Sequence, residues 1–173
     1  MSGMRIITLV DAEGQAFVHR AVLKMIVGEN AQDNFRLGRS GNLVCNIDVA
    51  TGVLGPGISG PWPGARWVHE HPDTGNAVAG FEVPNWGAIA SEVCRASLLT
   101  GGMRICHWDV VCGLEGPVFL EVNDIGGLFL PQAAGLGLFD DRLGALLSTH
   151  GKLKNERAIR GLLKRRGHLP VGR

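Results

Sequence analysis

Apolar and polar positions along the chain follow two different periods, and the change between them marks the elements. Residues 4–10 (MRIITLV) and 17–26 (FVHRAVLKMI) are short, rich in β-branched side chains and separated by Asp11-Ala12-Glu13-Gly14, which predicts two strands around a turn. Residues 41–49 (GNLVCNIDV) predict a further strand, closed by Ala50-Thr51-Gly52. Residues 55–76 hold five glycines and four prolines, too many for a helix or a central strand, so they predict a long loop. Its two tryptophans and two histidines argue for a functional loop over a disordered one. In residues 86–100 (WGAIASEVCRASLLT) the period becomes helical. Trp86, Ile89, Val93 and Ser97 trace one face, Pro84-Asn85 offers a cap and Gly101-Gly102 a stop. Residues 104–112 and 117–123 return to alternation and predict a hairpin, residues 139–148 a short helix and residues 152–166 a basic amphipathic one. Strands, one helix and strands again imply an α+β domain, an antiparallel sheet with helices packed on one side.

The register of the second hairpin decides its chemistry. With the three-residue loop Leu114-Glu115-Gly116, Gly113 pairs with Pro117 and Asp109 lies directly across from Glu121, with Asn123 and His107 on the same face. A four-residue loop would instead pair Asp109 with Leu120 and mix polar groups into both faces, which side-chain alternation disfavours. In the preferred register Trp108, Val110, Cys112, Val118, Leu120 and Val122 form an apolar face, and His107, Asp109, Val111, Phe119, Glu121 and Asn123 the other. Two opposed carboxylates, with Cβ atoms about 5 Å apart, repel each other. An arginine could offset the repulsion, and so could a shared proton. With the amide oxygen of Asn123 added, the cluster also suits a hard cation such as Mg2+, which takes a few carboxylates and completes its shell with water and substrate phosphates. The same spacing fits two exposed charges at the frayed end of a hairpin.

Composition narrows the class. A chain of 173 residues, 45% hydrophobic and 19% charged, suits one folded domain. No apolar run reaches the roughly 18–20 residues of a membrane helix. Acidic residues stand where a signal peptide would be cleaved, so a cytoplasmic protein without a membrane span is expected. Cys45, Cys94, Cys106 and Cys112 show no zinc spacing and read as reduced residues of apolar stretches. No GxSxG or GxxxxGK[ST] element occurs, and Cys106 and His107 point to opposite faces of a regular strand, which excludes a neighbouring nucleophile–base pair. The net charge of +1 conceals an acidic body, residues 1–150 with 9 Lys/Arg against 15 Asp/Glu, and a basic tail, residues 151–173 with 8 against 1. A tail helix of this kind can lie on nucleic acid or an anionic membrane, or pack its leucines on its own domain. It contains no aromatic residue for base stacking, so nucleic acid is not the expected partner.

WDVV followed by GPVFLEVN resembles the metal-binding end of ATP-grasp enzymes. More narrowly, the chain resembles the sugar-transfer-associated, hexapeptide-transferase-like ATP-grasp family. The stretches that carry the likeness are residues 4–8, Gln32-Asp33-Asn34, Asn46-Ile47-Asp48 with Thr51-Gly52, His71-Pro72-Asp73-Thr74-Gly75, Val83-Pro84-Asn85-Trp86, and Asp109 with Glu121-Val122-Asn123. The resemblance implies the carboxy-terminal half of an ATP-grasp fold over residues 1–150, with Asp109, Glu121 and Asn123 as Mg2+ ligands and Arg5 as the catalytic arginine on the transferring phosphate. Asp33, Asn34, Asp48 and His71 would face the same cleft and position the acceptor or the γ-phosphate, although each also fits a turn or loop role. The implied activity is ATP- and Mg2+-dependent ligation of a small carboxylate or sugar-linked substrate through an acyl phosphate, in polysaccharide assembly. Two features depart from the family. The half with the glycine-rich lid and adenine pocket does not precede these motifs, which implies a separate chain supplying it or a non-catalytic binding protein. Asp124-Ile125-Gly126-Gly127 also stands where the family places a proline-glycine turn.

Overall fold

Alternating apolar residues build a seven-stranded sheet in which every neighbouring pair is antiparallel. The computed structural model describes residues 2–61, 63–135 and 137–150, so the basic helix expected over 152–166 lies outside the described residues. In chain order the elements are β1 (Gly3–Val10), β2 (Ala16–Met25), a 3-10 turn (Arg36–Gly38), β3 (Leu43–Ile47), β4 (Leu54–Ser59), β5 (Arg66–Val68), α1 (Trp86–Ser97), β6 (Ile105–Gly113), β7 (Gly116–Asn123), α2 (Phe129–Ala133) and α3 (Asp141–His150). The sheet order β5-β4-β3-β2-β1-β6-β7 puts β1 between β2 and β6. Among the described residues no helix is long and apolar enough to cross a membrane.

The α+β class and the antiparallel sheet are as expected, but the helices divide between two faces instead of sharing one. On the first face Met4, Ile6, Cys45, Trp108 and Val110 pack with Trp86, Ile89 and Val93 of α1, the face of that helix read from its period. The polar groups buried there satisfy one another: Trp108 Nε1 donates to Thr8 Oγ1 at 3.1 Å and to Ser97 Oγ at 3.0 Å. On the second face Val22, Val44 and Ile58 pack with Phe35, Ala133 and Ala134, while Ile7 and Leu9 pack with Leu138, Leu143 and Leu146. The near-continuous burial of β1 is what a strand covered on both sides requires. The five residues of α2 are too few to show a helical period in the sequence.

Residues 55–76 are not one loop, since β4 and β5 lie within or overlap them. Val44 pairs with Ile58 and Cys45 with Gly57, then the register shifts before Ile47 meets Leu54, and Pro56 falls in that irregularity, where the loss of a backbone donor does not break a regular ladder. Asn85 precedes α1 in the left-handed conformation (φ 56°) and makes no side-chain cap. The β6–β7 hairpin also turns more tightly than expected. Gly113 pairs with Gly116, leaving Leu114 and Glu115 as the loop, and a bulge at Leu120 then restores Asp109 opposite Glu121 and His107 opposite Asn123. Between loop and bulge the faces are exchanged: Phe119 packs edge-on against Trp108, with ring centroids 5.4 Å apart, and Val118 lies opposite Val111.

The segment between β2 and β3 is organised by Asn42, which is fully buried. Its Oδ1 accepts from Val27 N and Asn30 Nδ2, both at 3.0 Å, and its Nδ2 donates to the carbonyls of Gln32 at 2.7 Å and Asn34 at 3.1 Å. Asn42→Ala strands these backbone groups. It is expected to lower the unfolding free energy by about 2–3 kcal/mol, read from urea denaturation.

Candidate functional site

The antiparallel register of β1 and β6 sets Arg5 directly beside Asp109. Arg5 Nε donates to Asp109 Oδ1 at 3.0 Å and Nη2 to Oδ2 at 2.7 Å, a two-pronged pairing that holds both side chains in one plane. From β2, Lys24 Nζ reaches Asp109 Oδ1 at 3.2 Å and Asp33 Oδ1 at 3.3 Å. Gly3, opposite Lys24, makes this possible, because a Cβ there would lie 3.1 Å from Asp33 Oδ2 and 3.3 Å from Val111 Cγ1. Glu121 faces Asp109 from β7, and Asn123 Nδ2 donates to Glu121 Oε1 at 3.0 Å. Lys24, Asp33, Asn34, Asp109, Leu120 and Glu121 border one cavity of about 340 Å3.

Of the ways to offset two facing carboxylates, the structure shows the first: an arginine, joined by a lysine. Burial alone would raise the Asp109 carboxyl. The hydrogen bonds and charge of Arg5 and the charge of Lys24 outweigh it and hold the group below the ordinary carboxylate range. His107, buried two residues before Asp109, is pushed down to about 4 by desolvation first and by Arg5 second, with Asp109 opposing, so it is neutral at pH 7. Its ring fills the space beside Gly126, where a Cβ would come within 2.1 Å of His107 Cγ. Glycine in the turn after β7 therefore meets a packing requirement.

The other residues singled out in the sequence separate into two groups. Asp33 and Asn34 border the cavity. Asp48 and His71 do not. The Asp48 carboxylate accepts from Thr51 Oγ1 at 2.9 Å, Thr51 N at 2.9 Å and Ala50 N at 3.0 Å, and the Thr51 bonds lower its pKa; it closes its own turn. His71 Nε2 donates to the Ile26 carbonyl at 2.9 Å and Nδ1 accepts from Asp73 N at 3.3 Å, so both ring nitrogens are engaged in holding a loop. Lys24 was missed as a site residue, although a charge inside the apolar run 17–26 is a readable signal that a strand face turns polar. Residues 55–60, GPGISG, also have the spacing of a dinucleotide-binding glycine loop; they fall mostly in β4, paired with β3 and β5, and open no helix onto which a phosphate could dock.

Among the described residues no group of three or more His, Cys, Asp or Glu side chains is arranged to hold a metal ion. The all-oxygen set of Asp109, Glu121 and Asn123 nonetheless has the chemistry that Mg2+ takes when substrate phosphates complete its shell. In that set Asn123 Oδ1 has no hydrogen-bond partner among the described residues, whereas both oxygens of Asp109 are held by Arg5 and Lys24.

A family model described as sugar-transfer associated ATP-grasp matches residues 1–145. No match was found among curated proteins or among solved structures.

Arg5→Ala leaves the Asp109 side chain, only 11% exposed, with Lys24 as its one cation. A loss of about 2–4 kcal/mol at pH 7 is expected from chemical denaturation. Because the folded-state pKa of Asp109 is depressed, the stability it contributes is present above the ordinary value of 3.8 and lost as pH falls through the folded value, so the gap between variant and wild type should narrow below pH 3.8.

Proposed function

The chain belongs to the sugar-transfer associated ATP-grasp family, and from that premise we propose that the cavity between β1, β2, β6 and β7 is the phosphate-binding end of an ATP-dependent ligase. The observation that carries this reading is the convergence of two cations, Arg5 and Lys24, on Asp109, opposite Glu121 and Asn123. Incoming phosphate oxygens would draw Arg5 and Lys24 away from Asp109. Each cation exchanges one anionic partner for another, and the freed Asp109 joins Glu121 and Asn123 as an oxygen donor. Mg2+ held by these three would neutralise phosphate charge and align the transferring group. The Arg5 guanidinium then faces the charge that develops as the γ-phosphoryl group leaves ADP for a substrate carboxylate, and its fixed fork needs little reorganisation to stabilise that charge. Asp33 and Asn34, which line the cavity, would orient the acceptor. The substrates would be ATP and a small carboxylate or sugar-linked acid, the acyl phosphate passing to an amine or similar acceptor, with polysaccharide assembly as the setting.

One observation favours a second reading. Asp109 is already fully paired by the chain's own cations, which is how a purely structural cross-strand clamp in a non-catalytic binding protein would look.

Thermal unfolding with MgATP separates the two. At nucleotide 100 times Kd the ligase reading expects about 2.7 kcal/mol of stabilisation, roughly 5–10 °C for a chain of this size. The doubly substituted Asp109→Asn, Glu121→Gln protein should show no shift relative to its own nucleotide-free Tm. No shift of the wild type at millimolar MgATP would favour the binding protein.

A further inference from the structure

The segment that carries Asp33 into the site also carries two arginines the proposed phosphate chemistry does not use. Arg36 and Arg39 are exposed, and neither forms an ion pair among the described residues. Their position is built. Phe35 is buried and stacked near Phe129, with ring centroids 6.4 Å apart, and Gly38 is locked beneath Gly60, where a Cβ would come within 1.7 Å of the Gly60 carbonyl oxygen. Between these pins Arg36 (φ 50°) and Leu37 (φ 58°) are both left-handed, a conformation non-glycine residues rarely hold and one that costs about 1–3 kcal/mol per residue. Strain of this kind persists only where the surroundings impose it, and it concentrates at ligand clamps. The Asn42 hydrogen bonds hold the base of the same segment, so the backbone that carries the arginines is fixed before any ligand arrives.

A groove of about 630 Å3 runs beneath them, lined by Asn30, Gln32, Asn34, Arg36, Arg39 and Ser40. It shares Gln32 and Asn34 with the Asp109 cavity, so a ligand in one would abut a ligand in the other. Ala31 is its one apolar lining residue. Asn34 Nδ2 donates to Gln32 Oε1 at 2.9 Å, leaving Asn34 Oδ1 and Gln32 Nε2 as an acceptor and a donor without a partner among the described residues. A hydroxyl, which both donates and accepts, is the group that completes such a pair.

We infer that this groove binds the second substrate as a phosphorylated polyhydroxy compound, a sugar phosphate being the simplest. Its phosphate is paired by Arg36 and Arg39 and its hydroxyls by Gln32 and Asn34, with its far end directed at the Asp109 cavity. Its role as the acceptor rests on the ligase reading above; the binding site itself does not.

Calorimetric titration of the full chain with glucose 1-phosphate, glucose 6-phosphate, glucose and inorganic phosphate tests it. At least one sugar phosphate is expected to bind at least about tenfold more tightly than glucose or inorganic phosphate. Arg36→Gln with Arg39→Gln should weaken it by a further factor of about ten while leaving the MgATP shift in Tm intact. Arg39→Gln alone, at an ordinary right-handed position (φ −70°), should retain the fold and lose part of the affinity. Equal affinity for inorganic phosphate and every sugar phosphate, or unchanged affinity in the double variant, overturns the inference. An MgATP shift without sugar-phosphate binding sinks this inference alone. Arginine-dependent sugar-phosphate binding without an MgATP shift upholds the groove and sinks the ligase reading.

Discussion

The Arg5–Asp109 fork constrains everything else in the functional half of this fold. It joins the central strand to β6 at the level where Glu121 approaches from β7, and it lets two carboxylates share one sheet face. A half-buried pair of this kind contributes little net stability, because desolvating both charges offsets most of their attraction; breaking it is far more damaging than forming it is favourable. Its value is positional. The bulge at Leu120 has the same consequence, since without it the two-residue turn would put Leu120 opposite Asp109 and turn Glu121 toward the α1 side of the sheet.

Two kinds of rigidity meet at the cavity. The sheet supplies Lys24, Asp109 and Glu121, with Arg5 paired to Asp109, from four neighbouring strands whose spacing is set by backbone hydrogen bonds and, for β1 and β2, by apolar packing on both faces. The β2–β3 segment supplies Asp33 and Asn34 to the cavity, and Arg36 and Arg39 to the adjoining groove, from irregular backbone, which must be held by other means. A single buried amide, Asn42, and one close backbone approach, Gly38 against Gly60, do this work. Lys24 links the two systems by touching both Asp33 and Asp109, so a ligand that moves it from one carboxylate changes the environment of the other.

Much of this was legible in the chain. Alternation located β1, β2, β3, β6 and β7, the helical period found the buried face of α1, and the opposition of Asp109 and Glu121 followed from the polar stripe of the last hairpin. The turn itself was misread: a three-residue loop and a two-residue loop followed by a bulge give the same partner for Asp109 but different faces for Val118, Phe119 and Leu120. Local turn chemistry cannot distinguish them, because glycines flank both. Pro56 and the surrounding glycines hid β4, since a strand that accommodates proline at an irregularity has the composition of a loop. The pairing of Arg5 with Asp109 was out of reach because it joins residues 104 positions apart, and no local pattern encodes that register. Asp48 and His71 fit their motifs equally well as loop residues, and long-range geometry is what places them there.

Charge balance connects the two cavities. At neutral pH the Asp109 site gathers Arg5 and Lys24 against Asp33, Asp109 and Glu121, while His107, with a pKa of about 4, adds nothing. The cluster therefore carries one negative charge in excess of neutral, and a triphosphate entering it unaccompanied would meet net repulsion. A divalent cation reverses that sign, so any nucleotide affinity here depends on the ion as much as on Arg5 and Lys24. The neighbouring groove has the opposite character, with two arginines that form no ion pair among the described residues and no carboxylate in its lining, a charge that favours an anion without metal assistance. A polyanion that needs a cation and a smaller anion that does not are thereby sorted between adjoining cavities by local charge, before the shape of either ligand matters.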